Sequence, residues 1–391
     1  MDKEALRKLE ELLDARNFAK VARIANPKLH AFLAKYVALL SPDKVFVCTD
    51  SPEDEEYVRR KAVEYGEERP LATPGHTVHF DNYYDQARDK KNTKILVPKG
   101  VELPFVNTLE RDEGLKEIHE LLKGASRGKE LFVCFFSLGP VGSPFSILAV
   151  QLTDSAYVAH SEFLLYRKAY EAFRRAGERA DFLKFVHSAG ELDERKTSKN
   201  LNKRRVYIDL ESETVYSVNT QYGGNTIGLK KLAFRLTIRR AVREGWLSEH
   251  MFLMGVNGPG GRVSYFAGAF PSMCGKTSTC MLPHERLVGD DLVFIKGFGG
   301  EARAVNVECG VFGIIEGVNA KDDPVVWEVL HSPNEVIFSN VLVKDGKPYW
   351  NGMGEPIPDE GENHSCLLYT SDAADDGESV DLGGGRIIKK K

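Results

Sequence analysis

The stretch FAGAFPSMCGKTSTCML, residues 266–282, ends an apolar run in Gly275-Lys276-Thr277 and continues into a helix-compatible segment. A strand, a tight loop, a basic side chain, a hydroxyl and a helix start are the parts of a phosphate cradle. Backbone N–H groups supply positive potential, Lys276 can reach the phosphoryl group being transferred, and the Thr277 hydroxyl suits a divalent ion. The chemistry this predicts is nucleotide-dependent phosphoryl transfer. The fit to the general pattern GxxxxGK[ST] is imperfect, because Phe270 stands where the first glycine belongs.

Four further clusters carry groups of suitable type. Tyr222-Gly223-Gly224-Asn225 reads as a turn, and its adjacent glycines would also let backbone N–H groups approach a carboxylate. Lys230-Lys231 falls in a helix-like segment, where paired lysines are ordinarily a solvated face. His250 heads an apolar strand, a common place for a satisfied core histidine. Asp290-Asp291 stands at the entrance to LVFIKG, where exposed acids are usual. Together the clusters gain weight, since a phosphate loop needs a metal and a metal needs oxygen or nitrogen ligands nearby.

The elements that must position these groups belong to a chain of 391 residues, 42% hydrophobic and 28% charged, with a formal net charge of −4. That composition fits a cytoplasmic enzyme, and two domains are the natural expectation at this length. The N-terminus carries Leu6, Leu9 and Leu13 at helical spacing among many charges, which reads as an amphipathic helix and neither a signal peptide nor a membrane span. Six scattered cysteines (Cys48, Cys134, Cys274, Cys280, Cys309, Cys366) form no CxxC pair, so reduced thiols are expected. Basic pairs such as Arg204-Arg205 are balanced by nearby acids and lack interleaved aromatics, which gives no support for nucleic-acid binding.

Strand-like runs at 44–49, 94–98, 131–140 and 146–152 alternate with helix-like segments, and 161–187 reads as an amphipathic helical stretch. RVYIDLESETVYSVN predicts a hairpin leading into Tyr222-Gly223-Gly224. GLKKLAFRLTIRRAVREGW reads as helix, and 250–256 as a buried strand.

The whole string FPSMCGKTSTCM, with a cysteine inside the loop and Pro271-Ser272 opening it, closely resembles the phosphate loop of the GTP-dependent phosphoenolpyruvate carboxykinases. The ATP-dependent enzymes of that name carry a glycine-rich loop instead. YGGN, KK, EH, FPSMCGKT and GDD occur here in that family's order, and FFSLGPVGSP, LTDSAYV, GWLSEHMFLMGV, AVNVECGVFG and VIFSNV resemble further family blocks. The likeness covers most of residues 80–350. It implies an α/β, two-domain carboxykinase-like fold with mixed sheets. Residues 1–245 would be an N-terminal substrate-binding domain, and 246–365 an incomplete C-terminal nucleotide-binding domain with a P-loop-type site. Residues 366–391, CLLYTSDAADD through RIIKKK, resemble a translated sequencing adaptor and are expected to be a non-native tail.

Position by position, the resemblance implies that Lys231, His250 and Asp291 hold a catalytic manganese ion. Thr277 and Asp290 would serve a second Mg2+ or Mn2+ travelling with GTP. Lys276 would meet the transferred phosphoryl group, and Cys274 would be a reactive loop cysteine. Arg88 would bind the substrate's carboxylate and phosphate, with Tyr222, Gly223, Gly224 and Ser272 as further substrate contacts. Met273, Cys274, Gly275, Lys276, Thr277 and Ser278 would line the nucleotide. A lysine ligand must be neutral, against an ordinary pKa of about 10.4, and burial, the adjacent Lys230 and the cation itself can each lower it.

The implied reaction converts oxaloacetate and GTP to phosphoenolpyruvate, GDP and CO2 through a metal-stabilised enolate, a step of gluconeogenesis, in a monomer with no nucleic-acid or membrane partner. The family's purine pocket, further arginines and lid have no counterpart in this sequence, so the polypeptide as written is expected to be inactive and truncated. Two other readings stay open. Another P-loop kinase or NTPase would show no dependence on oxaloacetate or Lys231, and a non-catalytic remnant would bind nucleotide without turnover.

Overall fold

The segment ELFVCFFSL shows no polar alternation, and in the computed structural model it forms the strand Glu130–Leu138, buried at every position. The structure describes residues 3–86, 89, 91–221, 227–270, 275–363 and 385–389. Successive side chains of a strand point to opposite faces. Phe132, Cys134, Phe136 and Leu138 accordingly enter one apolar cluster, with the helix Ala156–Leu165. Leu131, Val133 and Phe135 enter another, with the helices Lys3–Leu12 and Pro27–Leu40. Leu9, at the centre of the predicted N-terminal stripe, is wholly buried there.

This strand belongs to a nine-stranded sheet. Its path runs Lys44–Val47, Glu130–Leu138, Ile147–Thr153, Phe182–Ser188, Thr214–Val218, Arg205–Asp209, Thr93–Val97 and Thr108–Glu110, with Arg167–Lys168 paired to Glu130–Leu138 off the path. The sheet is mixed. Glu130–Leu138 runs antiparallel to Ile147–Thr153, which runs parallel to Phe182–Ser188. The predicted hairpin is present as Arg205–Asp209 against Thr214–Val218.

One expectation changes. Residues 161–187 are not a single helical stretch, because Ala156–Leu165 is followed by a short helix Tyr170–Ala176 and then by the strand Phe182–Ser188. Both flanking elements are buried almost throughout, and burial on all sides erases the polar period that distinguishes helix from strand. The helix expected over GLKKLAFRLTIRRAVREGW begins as a π-helical turn, Ile227–Leu232, before the α-helix Ala233–Glu244.

Beyond residue 246 the chain builds smaller sheets. Phe252–Asn257 lies between Val263–Gly268 and Arg286–Gly289, and Val293–Phe298 lies between Leu247–Glu249 and Glu301–Asn306. A five-stranded sheet orders Gly310–Ile314, Gly385–Lys389, Val336–Ser339, His76–His79 and Arg69–Pro70. Residues 385–389 of the tail thus pair as a strand, antiparallel to both neighbours; residues 366–384 lie outside the described residues. The result is a mixed α/β architecture of several sheets. No helix among the described residues is long and apolar enough to cross a membrane.

Candidate functional site

Strand register brings the first two candidate ligands together. Glu249 pairs with Val293 and Leu253 with Gly289, so the antiparallel run between these pairs carries His250 past Asp291. Leu292 and Phe294, each 1% exposed, anchor the acidic pair from within the core. His250 Nε2 lies 2.5 Å from Asp291 Oδ1.

The π-helical turn supplies the amines. A π turn holds an extra residue, widens the backbone spiral locally, and is frequent at functional sites. Here Lys231 Nζ lies 3.1 Å from His250 Nε2 and 3.1 Å from Asp291 Oδ2. Lys230, fully buried, turns inward, with Nζ 2.8 Å from the same Asp291 Oδ2 and 3.1 Å from Glu308 Oε1. Its ammonium also faces the Phe312 ring at 5.7 Å.

The loop lysine joins the same cluster. Gly275 holds φ at +80°, a left-handed conformation that glycine adopts without steric cost, and the helix Lys276–Cys280 follows. Lys276 Nζ is 2.8 Å from His250 Nε2 and pairs with Asp291 Oδ1. The residue expected on the transferred phosphoryl group therefore sits in the same ion cluster as the expected metal ligands. Asp290 is buried beside it, while Thr277 is half-buried and Ser278 exposed on the short helix.

These charges set each other's protonation. Burial pushes Lys231 down, and the neighbouring Lys230 and Lys276 add to the shift; Asp291 opposes it without reversing it. Burial works against the ammonium of Lys230 too, but Asp291 and Glu308 outweigh it and hold that pKa above the ordinary value. Asp291 is pulled well below the usual carboxylate range despite burial, because Lys230, Lys231, His250 and Lys276 surround it. Two adjacent lysines are thus driven in opposite directions, one toward neutrality and one toward permanent charge.

No group of three or more His, Cys, Asp or Glu side chains suited to a metal occurs among the described residues. The set gathered here has a different make-up, with an amine in place of the third such donor. Arg88, Tyr222, Gly223, Gly224, Ser272, Met273 and Cys274 lie outside the described residues. Glu308 is the group that motif reasoning passed over. It is wholly buried, and burial raises its carboxyl to about 7 even with Lys230 opposite. Its block, AVNVECGVFG, contributed to the resemblance, but nothing in that string marks the glutamate as part of the site.

A GKT loop whose lysine meets a carboxylate-centred cluster of amines and imidazole, on a mixed α/β scaffold, defines a nucleotide-binding protein of the P-loop kind. The chain belongs to the phosphoenolpyruvate carboxykinase family. Residues 31–242 match the phosphoenolpyruvate carboxykinase N-terminal domain, and 246–379 match the phosphoenolpyruvate carboxykinase C-terminal P-loop domain. A Pyrococcus horikoshii protein named phosphoenolpyruvate carboxykinase [GTP] is 76% identical over 375 residues, which is 96% of this chain and 60% of the relative. Proteins of the same name from Saccharolobus solfataricus and Haemonchus contortus are 55% and 33% identical, over 88% and 85% of this chain and 55% and 58% of their own lengths. The chain thus spans about 60% of the length of its Pyrococcus relatives.

Proposed function

We propose that this chain carries the metal- and substrate-binding part of a GTP-dependent phosphoenolpyruvate carboxykinase, which converts oxaloacetate and GTP to phosphoenolpyruvate, GDP and CO2. The observation that carries this reading is the convergence of Lys231, His250 and Asp291, from three separate elements, within 3.1 Å of one another and beside the Lys276 amine.

An imidazole, a carboxylate and an amine already shifted toward neutrality fit a divalent transition metal, Mn2+ on this reading. Bound there, the cation would supply Lewis-acid stabilisation of the negative charge that decarboxylation leaves on oxygen. The residues' own tasks follow from their positions. Lys231 offers its lone pair when neutral. Lys230 stays charged, and its repulsion disfavours the ammonium form of its neighbour.

Breaking the C–C bond of oxaloacetate releases CO2 and leaves the electron pair as an enolate. The enolate oxygen attacks the γ-phosphorus of GTP while the bond to the β-phosphate oxygen breaks. Such a transfer needs positioning and charge neutralisation more than covalent help, and the Lys276 ammonium supplies part of that charge. Thr277 and Asp290 would serve a second cation, Mg2+ or Mn2+, carried with the nucleotide. Arg88, Tyr222, Gly223, Gly224 and Ser272 would bind the substrate, and Cys274 would stand at the loop's centre. On this reading the enzyme is a cytoplasmic monomer acting in gluconeogenesis.

The test is an assay of the complete gene product for oxaloacetate decarboxylation with GTP, ATP and pyrophosphate side by side. The expected result is turnover with GTP, abolished in Lys231→Ala. Equal turnover with ATP, or phosphoryl transfer independent of oxaloacetate and Lys231, would overturn the reading.

A further inference from the structure

Lys230 would swing freely toward solvent in an ordinary helix, yet here it is fully buried and bridges two acids, Asp291 at 2.8 Å and Glu308 at 3.1 Å. Its far partner is built on an unusually fixed base. The Glu308 carbonyl accepts from Arg167 Nη2 at 2.9 Å and from Asn306 Nδ2 at 2.6 Å. The Val307 carbonyl accepts from Arg167 Nη1 at 2.9 Å and from the Gly139 N–H at 2.8 Å. The Cys309 N–H donates to the Leu165 carbonyl at 2.7 Å. Three consecutive residues are therefore tied to the end of the strand Glu130–Leu138 and to the helix Ala156–Leu165, which belong to the other half of the molecule.

We propose that Glu308 is a positioning residue for the candidate cation site: it fixes the Lys230 ammonium, and Lys230 in turn fixes the Oδ2 edge of Asp291. The inference rests on the reading of Lys231, His250 and Asp291 as a cation site. The ion pair that Glu308 makes is with Lys230. Its carboxylate pairs with Lys230 Nζ at 3.1 Å while the same ammonium meets Asp291 at Oδ2, and the other oxygen, Oδ1, is shared by His250 and Lys276. A ligand held in a single rotamer loses less freedom when a cation binds, and outer partners of this type typically affect metal affinity by about 10- to 100-fold. The arrangement also links the site mechanically to the large sheet, because the base of Glu308 is anchored there.

The alternative is that Glu308 only neutralises a buried lysine. Two variants separate the two roles, with Mn2+ alone as the probe and free Mn2+ read by electron paramagnetic resonance on the full chain. Glu308→Gln keeps the side chain's shape and removes its charge; positioning predicts Mn2+ binding weakened by about tenfold or more. The pair Lys230→Met with Glu308→Gln removes both buried charges together, which is commonly tolerated by the fold. Positioning predicts that this pair still binds Mn2+ weakly although its melting temperature returns toward that of the unmodified chain.

Recovery of native Mn2+ affinity in the pair, or affinity within about twofold of native in folded Glu308→Gln, would overturn the proposal while leaving the cation site standing. Absence of Mn2+ binding by the unmodified chain would overturn both. A chain that binds Mn2+ and loses it on Lys231→Ala, but not on either Glu308 change, keeps the site and removes the positioning role.

Discussion

Lys230 and Lys231 are consecutive, and both reach the same oxygen, Oδ2 of Asp291, at 2.8 and 3.1 Å. Consecutive residues of a regular helix point about 100° apart and do not meet a common atom easily. Both amines come from the π turn Ile227–Leu232, where the spacing of side chains differs from that of an α-helix. The charge consequence is immediate, since two ammonium groups so close cannot both keep their protons cheaply.

The first prediction concerns Lys231. If Lys231 is a Mn2+ ligand as proposed, it must bind in its neutral form, so affinity is expected to rise with pH and to level off once Lys231 has lost its proton, at a pH lowered by burial and by Lys230 and Lys276. Lys231→Ala should weaken Mn2+ at least tenfold and flatten that pH dependence. Titrations of free Mn2+ at several pH values would reveal it, and a wild-type affinity independent of pH would contradict it.

A second concerns Lys276, whose amine lies against His250 and Asp291. Lys276→Ala in the complete gene product should lower kcat by about 10²- to 10³-fold, the usual cost of removing one charge-stabilising donor. Steady-state kinetics with GTP and oxaloacetate would measure it.

A third concerns pH and stability away from the site. His160 is buried with Nδ1 2.8 Å from Glu68 Oε1 and Nε2 3.2 Å from Glu335 Oε1. Burial alone would lower its pKa, but the two carboxylates more than offset this and raise it to about 9. A folded-state pKa above the unfolded value of about 6.5 stabilises the protonated protein, so this contribution is complete below pH ~6.5 and lost as pH rises through about 9. His160→Gln should remove a slope worth at most about 3 kcal/mol across that window. Urea midpoints at pH 6 and pH 9.5 would show it, with the wild type losing more stability on going to high pH than the variant.

The fourth concerns Gly75, which holds φ at +88° just ahead of the strand His76–His79. A Cβ there would stand 2.4 Å from the Asn334 carbonyl oxygen, which is main chain and cannot step aside. Gly75→Ala should cost about 1–3 kcal/mol through backbone strain and contact. It should also loosen the pairing of His76–His79 with Val336–Ser339, measurable as faster amide exchange on both strands.

The sequence made the strands around Glu130–Leu138 legible because a nine-residue buried run between turn signals has few other fates. It hid Phe182–Ser188, where wholly buried helix and strand look alike. The candidate ligands are separated by 19 and 60 positions from Lys231, too far for any local period to join them, and only the order of family blocks pointed to their meeting. The π turn was not legible either, since six residues are too short a run to separate its period from that of the α-helix that follows. Glu308 stayed silent for a different reason: its meaning depends on Lys230, a remote residue whose inward turn no propensity scale encodes.

The strand Gly385–Lys389 is sandwiched between Gly310–Ile314 and Val336–Ser339, and it meets both through the main chain. Ladder bonds of that kind recognise extension and not spelling. The place of this strand between its two neighbours therefore rests on main-chain pairing along both of its edges.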